Sequence, residues 1–322
     1  MRFAAALVVA VLLLPPLHAQ PVAFFSGGVR VSYLDQGEGE AVVLLHGFTA
    51  SAEEAMKAAM PGGRAVAGYR VLAPDLRGHG MSDKPHDPKM CGTEMVEDVV
   101  RLLDHAKVKK AHVVGYSMGA FVAGRLLVDH PDRLLSVTFG GGGPLYQLPP
   151  AFVNGIDDTA DSLAEGKGIG PLVNALLPPG KPKLNPVEAA LVSRLILGGS
   201  DQKALAAVLR GQADWYVTKT ELKANRIPVQ FVYGSHEVPG VTDIVDRARR
   251  VLPGSGVVVV PDRDHASTFD TPEFRQAVVN FLRANAGEPG PGARPAQVAA
   301  GRTCVRAPSP GRVTPVVRAN SE

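Results

Sequence analysis

A mostly parallel α/β sheet interrupted by a helical insertion is the fold class that this sequence predicts. Three observations carry it. Short β-branched runs alternate with longer stretches of helical spacing, the strand signal vanishes across 144–226, and it returns before the apolar pattern ends near 286. Strand and helix in alternation make a sheet with helices on its faces, and a block of helices between two strands makes an insertion.

Residues 29–33 (VRVSY) alternate as a half-buried strand does, and 41–45 (AVVLL) form the continuous apolar run of a strand covered on both faces. A third run lies at 69–72, and apolar residues spaced by three and four predict a helix over 94–106. The fourth run, 111–115, passes directly into a helical pattern over 117–129. The fifth, 135–139, ends in the glycines 140–143. Within the insertion, 186–197 and 201–211 read as helices. Strand signals at 228–233 and 256–260 and a helix over 271–284 complete the body, and no fixed-period repeat suggests a solenoid.

The two ends stand apart from this body. Arg2, the apolar stretch 3–14, Pro15, Pro16 and the small residue Ala19 describe an export signal over 1–19, so export to the periplasm or beyond is expected. The apolar run is shorter than the ~20 residues that a membrane span needs, so no stable span is expected once the signal is removed. The segment 287–322 is rich in Pro, Gly and Arg without apolar periodicity, and it reads as a disordered tail. In that tail Arg294, Arg302, Arg306, Arg312 and Arg318 face only Glu288 and Glu322. The formal charge of +3 therefore belongs to the ends, and the body over 20–286 is one charge negative. Nothing in that balance recommends a nucleic-acid partner. With 45% hydrophobic residues in 322, the body has ample material for a core.

The motif that carries chemistry is Gly115-Tyr116-Ser117-Met118-Gly119, a GxSxG between a strand and a helix. A serine on a sharp strand-to-helix turn is exposed to substrate, and the flanking glycines let neighbouring backbone approach it. The helix that starts there aims N–H groups and its positive end at developing negative charge. No HExxH, paired CxxC or EF-hand pattern occurs, so neither a metal nor another cofactor is expected. The glycine-rich 166–170 follows no strand and lacks the Lys-Ser/Thr ending of a phosphate loop, and it reads as a loop of the insertion.

With these residues in view, the chain resembles serine hydrolases of the α/β-hydrolase fold, in the capped esterase and lipase group. LLHGF at 44–48 resembles the loop after the family's third strand, DLRGHGMSD at 75–83 its next strand-end loop, and DQKALAAVLRGQADW at 201–215 the last cap helices. The resemblance implies an eight-stranded, mostly parallel sheet. It also implies a core over 20–143 and 227–286 with a helical cap over 144–226.

The family's chain order of nucleophile, acid and histidine implies Ser117 as nucleophile and His265, after the last strand, as general base. The acid follows the seventh strand, where Glu237 occupies the position usually held by Asp. Asp243 stays open as the alternative, while Asp262 and Asp264 lie too near His265 in sequence to face its ring easily. The resemblance further implies an oxyanion hole from the Phe48 and Met118 amides, with those side chains shaping an acyl pocket, and His46 as a structural residue beside it. Tyr116, Tyr146 and Trp215 are the expected substrate-pocket residues. The activity implied is hydrolysis of a small-molecule carboxylic ester, of small to medium acyl length, through an acyl-enzyme. The same triad also serves carbon–carbon bond hydrolysis, perhydrolysis and acyl transfer, and a non-catalytic small-ligand receptor on this fold is the alternative of another class. Epoxide hydrolysis and dehalogenation are disfavoured because both need a carboxylate where Ser117 stands.

Overall fold

The computed structural model describes residues 21–59, 68–252 and 254–287. The expected export signal lies outside the described residues, as does the expected tail except for Gly287. Among the described residues, eight strands form one sheet: β1 (Val22–Ser26), β2 (Val29–Gly37), β3 (Glu40–Leu45), β4 (Tyr69–Pro74), β5 (Ala111–Tyr116), β6 (Leu134–Gly140), β7 (Val229–Gly234) and β8 (Gly256–Val260). Their order is β1-β2-β4-β3-β5-β6-β7-β8. β2 is antiparallel to both β1 and β4, and every pairing from β4 through β8 is parallel.

β1 was not among the predicted strands. It pairs with β2 through Gly27 and Gly28, both at positive φ (55° and 80°). Two residues at positive φ give a turn whose twist matches a hairpin, and a glycine pair supplies it without steric cost. The central strands explain the continuous apolar runs. All six residues of β5 are buried, and successive ones serve opposite faces, Val113 in one core cluster and Val114 in the other.

Helices cover both faces. α2 (Gly92–His105), α3 (Met118–Asp129) and α9 (Pro239–Arg249) bury their apolar stripes on one side, whereas α1 (Ala52–Ala59) and α10 (Pro272–Ala284) pack on the other. Between β6 and β7 the chain forms α4 (Pro150–Ala164), α5 (Gly170–Ala175), α6 (Pro186–Leu197), α7 (Gln202–Gly211) and α8 (Lys219–Ala224). This inserted layer has its own apolar cluster, with Ala160, Leu163, Ile169, Leu197, Leu205 and Leu209 among its members. The side chain of Phe48 packs against this cluster and against the main core, joining the insertion to the loop after β3.

Candidate active site

The parallel strands β3, β5, β6, β7 and β8 bring their C-terminal ends together, and the site is assembled from the loops that leave them. At the end of β5 the chain turns into α3 through Ser117, whose backbone stands at φ 51°, ψ −115°. A non-glycine residue with positive φ is strained, and such strain persists only where the surroundings hold it. Here the Ser117 N–H donates to the Gly140 carbonyl (2.8 Å), and the Ser117 carbonyl accepts from Ala120 (2.8 Å). The motif glycines make the turn possible. A Cβ on Gly119 would stand 2.1 Å from the Leu45 carbonyl oxygen, and one on Gly115 would stand 2.2 Å from the Gly119 oxygen.

The loop after β8 delivers His265, and the loop after β7 delivers Glu237. These loops are bonded to each other by Ser235 N–H to the Val260 carbonyl (2.8 Å) and His236 N–H to the Arg263 carbonyl (2.8 Å). His265 Nε2 lies 3.0 Å from Ser117 Oγ, and its Nδ1 lies 3.0 and 3.1 Å from the two oxygens of Glu237. A carboxylate can only accept here, so Nδ1 carries the proton and Nε2 is left free to accept from the serine hydroxyl. The Glu237 side chain is wholly buried and also accepts from the Val238 N–H (2.9 Å).

Of the two carboxylates left open by the sequence, the structure brings Glu237 to the histidine and leaves Asp243 away from it. Asp243 lies on α9, where Val241, Ile244, Val245 and Ala248 form the buried stripe, and that spacing turns residue 243 outward. Asp262 is exposed, and its backbone N–H donates to Ser235 Oγ (2.9 Å). Asp264 is held by the N–H and hydroxyl of Ser267, which keep its carboxyl below the usual range.

The oxyanion candidates are placed by two devices. Met118 is the first residue of α3, and its N–H has no partner within the helix. Phe48 follows Gly47, whose carbonyl accepts from His46 Nδ1–H (2.8 Å), while His46 Nε2 accepts from the Leu76 N–H (3.0 Å). An added Cβ on Gly47 would meet the Ser117 Cβ at 3.5 Å, which puts this loop against Ser117. Neither the Phe48 nor the Met118 N–H donates to another group among the described residues. His46 is fully enclosed, and burial pulls its pKa down to about 4. The imidazole is therefore neutral, in the tautomer that these two bonds require.

The expected substrate-pocket residues sit elsewhere. Trp215 is fully buried with its indole N–H on the Gly92 carbonyl (2.8 Å), Tyr146 is in the main core, and so is the Met118 side chain at 2% exposure. An indole that packs against α2 satisfies its one donor there and presents no face to a ligand. Tyr116 has a different task from the expected one. Its hydroxyl donates to the backbone carbonyl of His265, and its ring packs on Phe269 and Phe274. This clamp on the histidine loop has no local signal in the sequence, because the contact spans 149 positions. Gly141 (φ 52°) belongs to the same cluster, since a Cβ there would stand 3.0 Å from the Tyr116 hydroxyl and 3.2 Å from His265 Cε1.

The model of the α/β hydrolase fold family matches residues 40–165, the segment that carries β3, the turn at Ser117 and the start of the insertion. An esterase from Thermogutta terrifontis has the same architecture, with a TM-score of 0.69 over 84% of this chain and all of that one at 25% identity. This chain has the α/β-hydrolase fold. Among curated relatives of this α/β-hydrolase-fold protein, the dihydrolipoyllysine-residue acetyltransferase component of the acetoin cleaving system of Cupriavidus necator is 41% identical over 114 residues, which are 34% of this chain and 29% of that one. An epoxide hydrolase of Caballeronia sordidicola is 34% identical over 116 residues, 35% of this chain and 34% of that one. The matched segments thus span about a third of those relatives' length.

Proposed function

We propose that this protein is a serine carboxylic ester hydrolase that works through an acyl-enzyme. The observation that carries this reading is the continuous chain of contacts from Ser117 Oγ through His265 to Glu237. In that arrangement His265 Nε2 takes the hydroxyl proton as Ser117 Oγ attacks the ester carbonyl, and Glu237 stabilises the imidazolium that forms. The amides of Phe48 and Met118 receive the oxyanion, each donor being worth about 3 kcal/mol at the transition state. The imidazolium then protonates the departing alcohol, and the neutral ring draws a proton from water as it attacks the acyl-serine.

An epoxide is opened on this fold by a carboxylate that forms an alkyl ester, and the residue at the turn here is a serine. Ester hydrolysis accordingly fits the nucleophile better than the chemistry named for the Caballeronia relative. The test is stopped-flow release of p-nitrophenol from esters of increasing acyl length. A burst matching the enzyme concentration, followed by steady turnover and absent from Ser117→Ala, is the expected result. Absence of turnover at every chain length, or turnover that persists in Ser117→Ala, refutes the reading.

A further inference from the structure

Helix α6 is apolar all round but buried on one side only. Nine of its twelve residues are apolar, with Glu188, Ser193 and Arg194 the exceptions. A helix of that composition is ordinarily enclosed in a core or in lipid. Here Ala189, Ser193 and Leu197 face inward, and Leu197 joins the apolar cluster of the insertion. The opposite face carries Val187, Leu191 and Leu195, spaced by four, at 79%, 70% and 83% exposure. Ile196, on the flank, is 46% exposed. Such a stripe on one helix is an interaction surface that this chain does not cover among its described residues.

The charges around the stripe point to its occupant. Lys181 and Lys183 are exposed in the segment that leads into α6, and Arg194 lies on the helix between Leu191 and Leu195. None of these three takes part in an ion pair among the described residues. Glu188, the one acid on the helix, is committed to the capping box, where its carboxylate accepts from the Asn185 N–H (2.9 Å). An apolar stripe with free cations beside it complements a surface that is apolar inside and anionic outside. The helix has 12 residues against the ~20 that a span requires, so it would lie along such a surface rather than cross it.

We propose that α6 docks this protein on anionic lipid surfaces, with Val187, Leu191 and Leu195 entering the acyl boundary and Lys181, Lys183 and Arg194 meeting the headgroups. Because the inner face of α6 shares a cluster with Phe48, the docked face lies one helix away from the candidate oxyanion loop. Docking itself is independent of the ester chemistry.

The experiment is sedimentation of the full chain with sucrose-loaded vesicles of phosphatidylcholine and phosphatidylglycerol, beside vesicles of phosphatidylcholine alone. The wild-type protein and Ser117→Ala bind the mixed vesicles alike, more strongly than the neutral ones, and high salt weakens the binding. Leu191→Glu/Leu195→Glu lowers the partition coefficient by at least about tenfold, and Lys181→Glu/Lys183→Glu lowers it on mixed vesicles only. Both leucines are exposed, so the urea midpoint of the double variant matches wild type. The proposal is overturned if wild type stays in the supernatant or if the leucine variant sediments as wild type does. It is equally overturned if sedimentation velocity shows a wild-type dimer that the leucine variant dissolves, since a second copy would then cover the face.

Discussion

Lowering the pH from about 7.5 to about 5 should destabilise the fold through two enclosed histidines that hold the strand-end loops. His46 bonds Gly47 and Leu76 as described. His79 bonds the Arg77 carbonyl through Nδ1 (3.0 Å), and its Nε2 has no partner among the described residues. The two rings lie 5.1 Å apart. Burial lowers the pKa of His46 from 6.5 to about 4, and burial together with the His46 charge lowers that of His79 to about 3. The unfolded chain therefore binds protons that the folded one refuses. The stability from this difference is present in full above the ordinary histidine pKa, and it is lost as pH falls below it toward the folded values. At pH 5 an unfolded imidazole is almost wholly protonated while His46 is about one-tenth protonated, which corresponds to about 2 kcal/mol. His79 contributes a similar amount, so the two together remove about 4 kcal/mol from a total stability of the order of 5–15 kcal/mol. His112, whose pKa burial also lowers, acts with the same sign. Glu94, Glu221 and Asp264 are held below the usual carboxylate range, so their contributions are lost only at still lower pH. The assay is urea unfolding followed by the single tryptophan, Trp215, which is fully buried. The free energy should fall steeply over this window, and His79→Gln should flatten the slope by about half. A free energy independent of pH over the window would show that the two enclosed histidines do not set the acid stability, and so would a His79→Gln slope equal to wild type.

Three further outcomes follow from the site. Gly119→Ala puts a Cβ 2.1 Å from the Leu45 oxygen, about 1 Å inside contact, so α3 must move away from β3; kcat/KM for esters should fall by about a hundredfold with a lowered Tm, both read in one preparation. Glu237→Gln should reduce kcat by roughly a thousandfold or more through the wrong histidine tautomer, while Asp243→Asn stays within about twofold of wild type. Tyr116→Phe keeps the ring packing and removes the bond to the His265 carbonyl; kcat should fall about tenfold with KM unchanged, as measured on a soluble ester.

The strand-to-helix turn at Ser117 was legible because its signals are local: a buried β-branched run, glycines where neighbouring backbone crosses, and helical spacing after the serine. Glu237 was legible as the position after β7, with Asp243 as the alternative; what turns Asp243 away is α9, which the sequence pattern did not announce as a helix. Once 241, 244, 245 and 248 face the core, residue 243 faces solvent. Trp215 and Tyr116 were misread for a different reason. A large aromatic beside a site motif looks the same in sequence whether it faces substrate or packs, and its partner, Gly92 for one and the His265 carbonyl for the other, lies more than a hundred positions away. α4 has no clear signal in the sequence because its Asn, Gly and Asp residues are weak helix formers, and burial of Ala160 and Leu163 in the insertion's cluster outweighs that preference.

Everything proposed for this site depends on Ser117 acting as a nucleophile activated by His265. Incubation of the folded protein with a fluorophosphonate, followed by peptide mapping, tests it most directly. One stoichiometric phosphonyl adduct on Ser117 is expected, absent in Ser117→Ala and formed far more slowly in His265→Ala. An unlabelled folded protein, or an adduct on another residue with Ser117 untouched, would contradict it.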